Sequence, residues 1–356
     1  MKLKCFVALF FALLLSVTAM PVHAGETDTC FSSSLHHTGE GMRYWYEAED
    51  GFMQISKIPY DELGCKNCHV QNCDTCHVKE TEKGCAYSIK KAQNSKTCLK
   101  CHAREKATIK MDDASKCRDV HRSAYLTCVD CHSHREIHGD GTAYKSMREP
   151  GAMDAACTNC HTETSKYYPA IPDSTSHHVH NGELECNACH VSNTMSCYNC
   201  HFGVLEKTKS KPKSFVAKVK NFLLLVKYQG KATSGTLQTL VGKNNEPYIS
   251  YVPFFTHSIT KDARKCEECH GTEAVRTLAE NKELKGAIFE DNTLKFRKGV
   301  IPLVPKLLKW PFLEKKEGKW VTFDPKTPPL IQLGVYAEPF TQDELDALYE
   351  KQFYEE

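Results

Sequence analysis

Eight times in this sequence two cysteines stand three positions apart with a histidine directly after the second. The pattern runs through Cys65, Cys68 and His69, then Cys73, Cys76 and His77, then Cys98, Cys101 and His102, then Cys128, Cys131 and His132. It continues through Cys157, Cys160 and His161, then Cys186, Cys189 and His190, then Cys197, Cys200 and His201, and ends with Cys266, Cys269 and His270. Two thiols at this spacing can each form a thioether to one vinyl group of the same haem, and the adjacent histidine then lies under the iron as its proximal ligand. The motifs therefore assign sixteen of the 20 cysteines to eight covalently attached haem c groups.

Other uses of paired cysteines fit less well. Zinc ribbons also use C-x-x-C pairs, and Cys65/Cys68 with Cys73/Cys76 could close a tetrahedral site, but zinc does not require a histidine after every pair. The same histidine argues against a disulfide framework and against a redox dithiol, which normally occurs once or twice per chain. Cys5 falls in the N-terminal leader described below, so Cys30, Cys85 and Cys117 form an odd set. A disulfide between Cys85 and Cys117 would leave Cys30 free, and a thiol acting over an open haem is the alternative.

The ligand on the far face of each iron decides between electron transfer and chemistry. Outside the leader and the motifs, nine histidines are candidates: His36, His37, His121, His134, His138, His177, His178, His180 and His257. Bis-histidine ligation at most sites is the economical reading. Neighbours such as His36/His37 and His177/His178 point in different directions, so each pair is expected to supply one ligand. That count leaves one haem for methionine, lysine, water or substrate.

The elements that must position these groups are sparse. Residues 1–24 read as a cleaved signal peptide, with basic Lys2 and Lys4, an apolar run from Cys5 to Val17 and the close Val22-His23-Ala24. Export to the periplasm or the extracellular space follows. Loss of Lys2 and Lys4 from the 46 basic residues leaves 44 against 44 acidic, and a formally neutral chain carries no basic surface for nucleic acid. No later apolar run is long enough to span a bilayer. Residues 25–275 are expected to form the octahaem domain, mostly irregular with short α-helices wrapped on a closely packed haem array. Seven motifs within Cys65 to His201 give about one haem per 20 residues, too little chain for a conventional core, so the macrocycles must supply apolar surface themselves. Residues 206–256 read as a small β-rich insertion: a basic linker (Lys207, Lys209, Lys211, Lys213), then apolar runs Phe215 to Tyr228 and Tyr248 to Phe255 separated by Gly230, Gly235, Gly242 and Asn244-Asn245. Residues 276–356 carry no motif. Their prolines predict an extended segment lying on other surfaces, with Trp310, Phe312 and Trp320 as packing anchors and a short final helix opened by a Thr341/Glu344 capping box.

Over residues 65–270 the motif array resembles the superfamily of octahaem and related multihaem c-type cytochromes. The resemblance implies either a conduit or an enzyme acting on nitrite, hydroxylamine, sulfite or tetrathionate. Pentahaem nitrite reductases usually carry lysine at the catalytic motif, whereas all eight motifs here end in histidine, and the octahaem enzymes are generally longer. Both departures favour an electron carrier of anaerobic metal, sulfur or nitrogen respiration. Its partners would be a quinol oxidase or periplasmic donor and a terminal acceptor. The alternatives are an oxidoreductase with one open haem, and a filament subunit in which His36 or His37 reaches a haem of a neighbouring copy. Haem propionates would make the loaded carrier acidic, so basic partner patches are expected to dock with it.

Overall fold

The computed structural model describes residues 30–64, 69–115, 118–201, 222–242, 245–317 and 319–350, without the side chains of Asn199, Cys200, His201 and Lys315. The leader, Cys65, Cys68, Cys117, the basic run from Lys207 to Lys213 and Asn244 lie outside the described residues.

A continuous apolar run is the signature of a strand covered on both faces, and Phe222-Leu-Leu-Leu-Val is buried throughout. It lies in a six-stranded sheet. In chain order the strands are β1 (Cys197–His201), β2 (Phe222–Tyr228), β3 (Lys231–Val241), β4 (Pro247–Pro253), β5 (Gly299–Pro302) and β6 (Leu330–Leu333). Spatially the order is β5-β2-β3-β4-β6. The contacts β2–β3 and β3–β4 are antiparallel, while both outer strands join in parallel. Gln229 and Gly230, both with positive φ, make the two-residue turn between β2 and β3. At Gly235 a Cβ would come 2.4 Å from Val226 Cγ1, so close approach of β2 and β3 requires glycine there.

From residue 222 on, the described part of the β element expected over 206–256 forms the middle of a larger sheet, and strands from the segment after residue 276 join it at both edges. The prolines are compatible with strands because β5 and β6 are the edges: Pro302 ends one, and Pro328 and Pro329 precede the other. Trp310 and Phe312 are buried in the core, and Trp310 Nε1 donates to the Tyr251 hydroxyl at 2.7 Å. Trp320 is only half-buried. The helix Glu273–Ala279 packs Ala274 and Leu278 into the same core, to which Leu345 of the final helix Gln342–Tyr349 also belongs. That final helix begins on the reciprocal Thr341/Glu344 bonds.

The first half is built differently. Between Asp74 and Cys189 every helix is three to five residues long except Ala103–Ser115. Among the described residues from 71 to 151 the buried side chains are Thr108, Asp112, Asp119 and Ser146, all polar. Large apolar side chains there are instead exposed, including Tyr87, Ile89, Tyr125 and Met147, as are Tyr167 and Tyr168 just beyond. Among the described residues from 71 to 151, polypeptide alone gives no hydrophobic interior, whereas Phe52 and Leu63 upstream pack on Leu240 and Tyr248. Among the described residues no helix is long and apolar enough to cross a membrane.

Candidate functional site

Six of the eight motifs fold locally as a single turn. The histidine N–H donates to the carbonyl of the first cysteine in each of the six: His77 to Cys73 at 2.9 Å, His102 to Cys98 at 3.1 Å, His132 to Cys128 at 3.0 Å, His161 to Cys157 at 2.9 Å, His190 to Cys186 at 2.9 Å and His270 to Cys266 at 2.8 Å. One helical turn puts residues three apart on one face, so the two thiols of a motif stand side by side. All the motif cysteines described are free thiols.

The same six histidines each face a second histidine. Ring centroids are 6.1 Å apart for His102 and His36, 6.1 Å for His77 and His138, and 6.0 Å for His161 and His121. They are 6.1 Å apart for His132 and His257, 6.4 Å for His190 and His177, and 6.2 Å for His270 and His180. Two imidazoles on opposite sides of one metal, each nitrogen about 2 Å from it, place their centroids about 6 Å apart. Rings packed against each other directly would have no reason to share that spacing. His257, Cys157 and Cys186 keep accessible surface although protein surrounds them on most sides, as side chains lining a hollow do. The residues present therefore fit a macrocycle held by two thiols and two imidazoles.

Several of these rings have Nδ1 tied to an acceptor, which leaves Nε2 as the ligating nitrogen and fixes the ring's orientation. His132 Nδ1 lies 2.6 Å from Glu136 Oε2, and Glu136 in turn accepts from the backbone N–H of Ala155 at 2.6 Å and of Asp154. His161 Nδ1 donates to the Pro169 carbonyl at 2.8 Å, His190 Nδ1 to that of Thr260 at 3.1 Å, and His177 Nδ1 is 2.9 Å from Ser174 Oγ. His121 Nδ1 stands 3.6 Å from Asp119. Burial pushes the Asp119 carboxyl up, but bonds from His121 and from the N–H groups of Arg122 and Ile259 outweigh it and hold the group at about 2. The Glu136 bond raises His132, while loss of hydration lowers His36, His180 and His257 toward the neutral form that metals bind.

His257 reaches His132 because the chain after β4 enters the half that carries most of the motifs. Ser192 N–H donates to Ser258 O at 2.8 Å, Val120 N–H to Ile259 O at 3.0 Å, and Thr260 N–H to His190 O at 3.0 Å. The motifs also touch one another. The Cys98 and Cys128 thiols are in hydrogen-bond contact, as are those of Cys157 and Cys186. These contacts link the third motif to the fourth and the fifth to the sixth. The seventh begins in β1, where Arg104 lies 3.8 Å from Cys197 Sγ.

Among the described side chains, which do not include that of His201, three of the nine candidate histidines have no motif histidine ring against them. His37 donates from Nδ1 toward the Val70 carbonyl at 3.2 Å, His178 pairs with Asp173 at 2.8 Å, and His134 is exposed. Each lies beside a histidine that is paired: His36, His177 and His138. His36 meets His102 within the chain, so it is not spare for a neighbouring copy. Cys30 is half-buried and Cys85 is exposed on the strand Gly84–Tyr87, both as free thiols. Glu136, Asp119 and Tyr60, which bonds His69, were not among the expected residues. The i+4 spacing from His132 to Glu136 and the Asp-x-His spacing at Asp119 could have revealed two of them. Among the described residues no three or more His, Cys, Asp or Glu side chains converge as a zinc ribbon would need. Set against family models, curated proteins and solved structures, the chain matches none of them.

Proposed function

We propose that this chain is an exported c-type cytochrome that carries eight covalent haems and passes electrons along them. The observation that supports it most is the set of six histidine pairs, each joining a motif histidine to a remote one across a gap of one metal and two bonds. Haem, when bound, supplies a one-electron carrier at each site. The chain's own residues do the rest. Paired thiols would fix each group in place, the two imidazoles of each pair would hold its iron, and Glu136, Asp119 and the carbonyls of Pro169 and Thr260 orient the rings. With a histidine on either side of each gap, these six sites would offer no place to a substrate, which suits carriage of electrons rather than chemistry. The contacts from motif to motif bring successive attachment points together, as a conduit between a donor and an acceptor requires.

Mass and haem determination on protein made with c-type haem attachment tests the reading. Eight haems per chain and a ferric spectrum dominated by low-spin bis-histidine signals are expected. Zinc in place of haem, or a dominant high-spin spectrum, would sink it.

A further inference from the structure

Arg148 carries a charge that nothing in the described chain answers. Among the described residues its guanidinium has no ion pair and donates no hydrogen bond; it lies over the Phe255 ring, 3.7 Å from the centroid. Protein closes around it on most sides, and the loss of hydration lowers it from the ordinary guanidinium value, yet the residue keeps some accessible surface. Its backbone is pinned on both sides. The Arg148 N–H donates to Ser146 Oγ at 3.2 Å, the carbonyl accepts from the Tyr228 hydroxyl at 2.5 Å, and Ser146 Oγ accepts from Trp45 Nε1 at 3.3 Å. The two carboxylates whose charge reaches the guanidinium are engaged elsewhere. Glu136 holds His132 Nδ1 and the Ala155 N–H, and Glu185 faces Lys231 at 3.8 Å. The fourth motif lies close by. The charge of Arg148 is felt at His132, and Phe255 stands two residues before His257, the ring across from His132.

We propose that Arg148 binds a propionate carboxylate of the haem held between His132 and His257, and that this contact raises the reduction potential of that one haem. The inference rests on the haem reading above. A cation drawn away from water is tolerated where an anion meets it, and it is costly where none does. A planar guanidinium takes a carboxylate through two parallel N–H bonds, and a haem carries two carboxylates on one edge. Phe255 lies against the Arg148 guanidinium and helps to hold it, with its N–H groups left for an acceptor. Arg148 so placed neutralises part of the negative charge around the iron. Less negative charge favours the ferrous state once the electron has arrived, so the potential rises.

Redox titration of the full haem-loaded protein tests this, with His257→Ala as a marker: the iron that loses one imidazole gives a high-spin ferric signal of its own. Adding Arg148→Gln shifts the midpoint of that signal to a more negative potential while the haem count stays at eight. Adding Arg148→Lys, which keeps the charge, shifts it far less. A midpoint unmoved by Arg148→Gln, or moved as far by Arg148→Lys, overturns the inference. So does a midpoint that follows added phosphate at constant ionic strength, since the anion on Arg148 would then be a free one. A crystal structure of the loaded parent reads the contact itself and decides the matter even where a variant loses its haem. Arg148 nitrogens at hydrogen-bond distance from a propionate of the fourth-motif haem are expected, and both propionates turned away from Arg148 overturn the inference. A haem count near zero in the parent, or no high-spin signal in His257→Ala, overturns the reading beneath it instead.

Discussion

Among the described residues, 71–151 bury polar side chains alone, whereas 222–345 bury a large apolar core beside their polar ones. The later region buries Leu224, Val226, Leu237, Tyr251, Ile301 and Leu303 almost completely, around a sheet whose strands cover one another. The earlier one buries Thr108, Asp112, Asp119 and Ser146 and leaves Tyr87, Ile89 and Tyr125 in water. Burial of apolar area drives folding at about 25 cal/mol per Å², so the sheet has its own driving force and the earlier region lacks one. The difference teaches where the apolar surface must come from. Between the paired histidines there is room for a flat apolar group, and the exposed aromatic rings of Tyr87 and Tyr168 lie close to motif histidines, at 6.4 Å from His77 and 6.5 Å from His161. On the proposed reading one region has a core of side chains and the other a core of macrocycles.

Withholding haem should separate the two most sharply. In protein made without haem attachment, amide exchange over residues 74–189 is expected to lose essentially all protection, while β2, β3 and β4 stay protected. Equal protection in both regions would end the comparison. Next in size is a cavity in the sheet. Leu237 is wholly buried in β3, and Leu237→Ala should lower unfolding free energy by about 2–5 kcal/mol without altering the haem spectrum. A spectral change of similar size would show that the two cores are one.

A finer test uses neighbouring histidines. His138→Ala should turn one haem from low to high spin, because His138 faces His77, whereas His134→Ala on the same short helix should leave the spectrum unchanged. His177→Ala and His178→Ala should differ in the same way, since only His177 faces a motif histidine. EPR on the four variants decides it. Spectral loss in His134→Ala or His178→Ala would mean that the axial partners have been misassigned.

Much of this site is legible in residue spacing because a pentapeptide encodes it locally. The turn that aligns Cys128, Cys131 and His132 needs nothing beyond its own backbone bonds. The far ligands are not local. His132 meets His257 and His36 meets His102 only because distant segments fold together, and nothing in the sequence separates His138 from His134 or His177 from His178. The sheet divides along the same line. The apolar run from Phe222 marks a buried strand, but its parallel partner Gly299–Pro302 and the far edge Leu330–Leu333 come from a segment whose prolines argue against strands until their edge positions are known. Tyr60 was missed because no motif marks a tyrosine that bonds His69.

The smallest expected effect lies at the seam between the regions. Asp112, on the helix Ala103–Ser115, is fully buried and accepts from Ser258 Oγ at 2.6 Å and Asn193 Nδ2 at 3.1 Å, with Arg122 3.8 Å away. Burial raises its carboxyl above the ordinary value of 3.8, and the bonds from Ser258 and Asn193 and the charge of Arg122 only partly offset that. A carboxyl raised in the folded state binds its proton more tightly there than in the unfolded chain. Its contribution to stability is therefore fullest below pH 3.8 and falls as pH rises through the higher folded value. Asp112→Asn keeps an acceptor for Ser258 and removes the titration. The stability of the variant relative to the parent should accordingly rise with pH above 3.8. Denaturant melts at pH 4 and pH 7 measure the difference. A relative stability that falls over that interval would show that Asp112 is held as a carboxylate by Arg122, so that the seam between sheet and haem region is an ion pair rather than a buried neutral network.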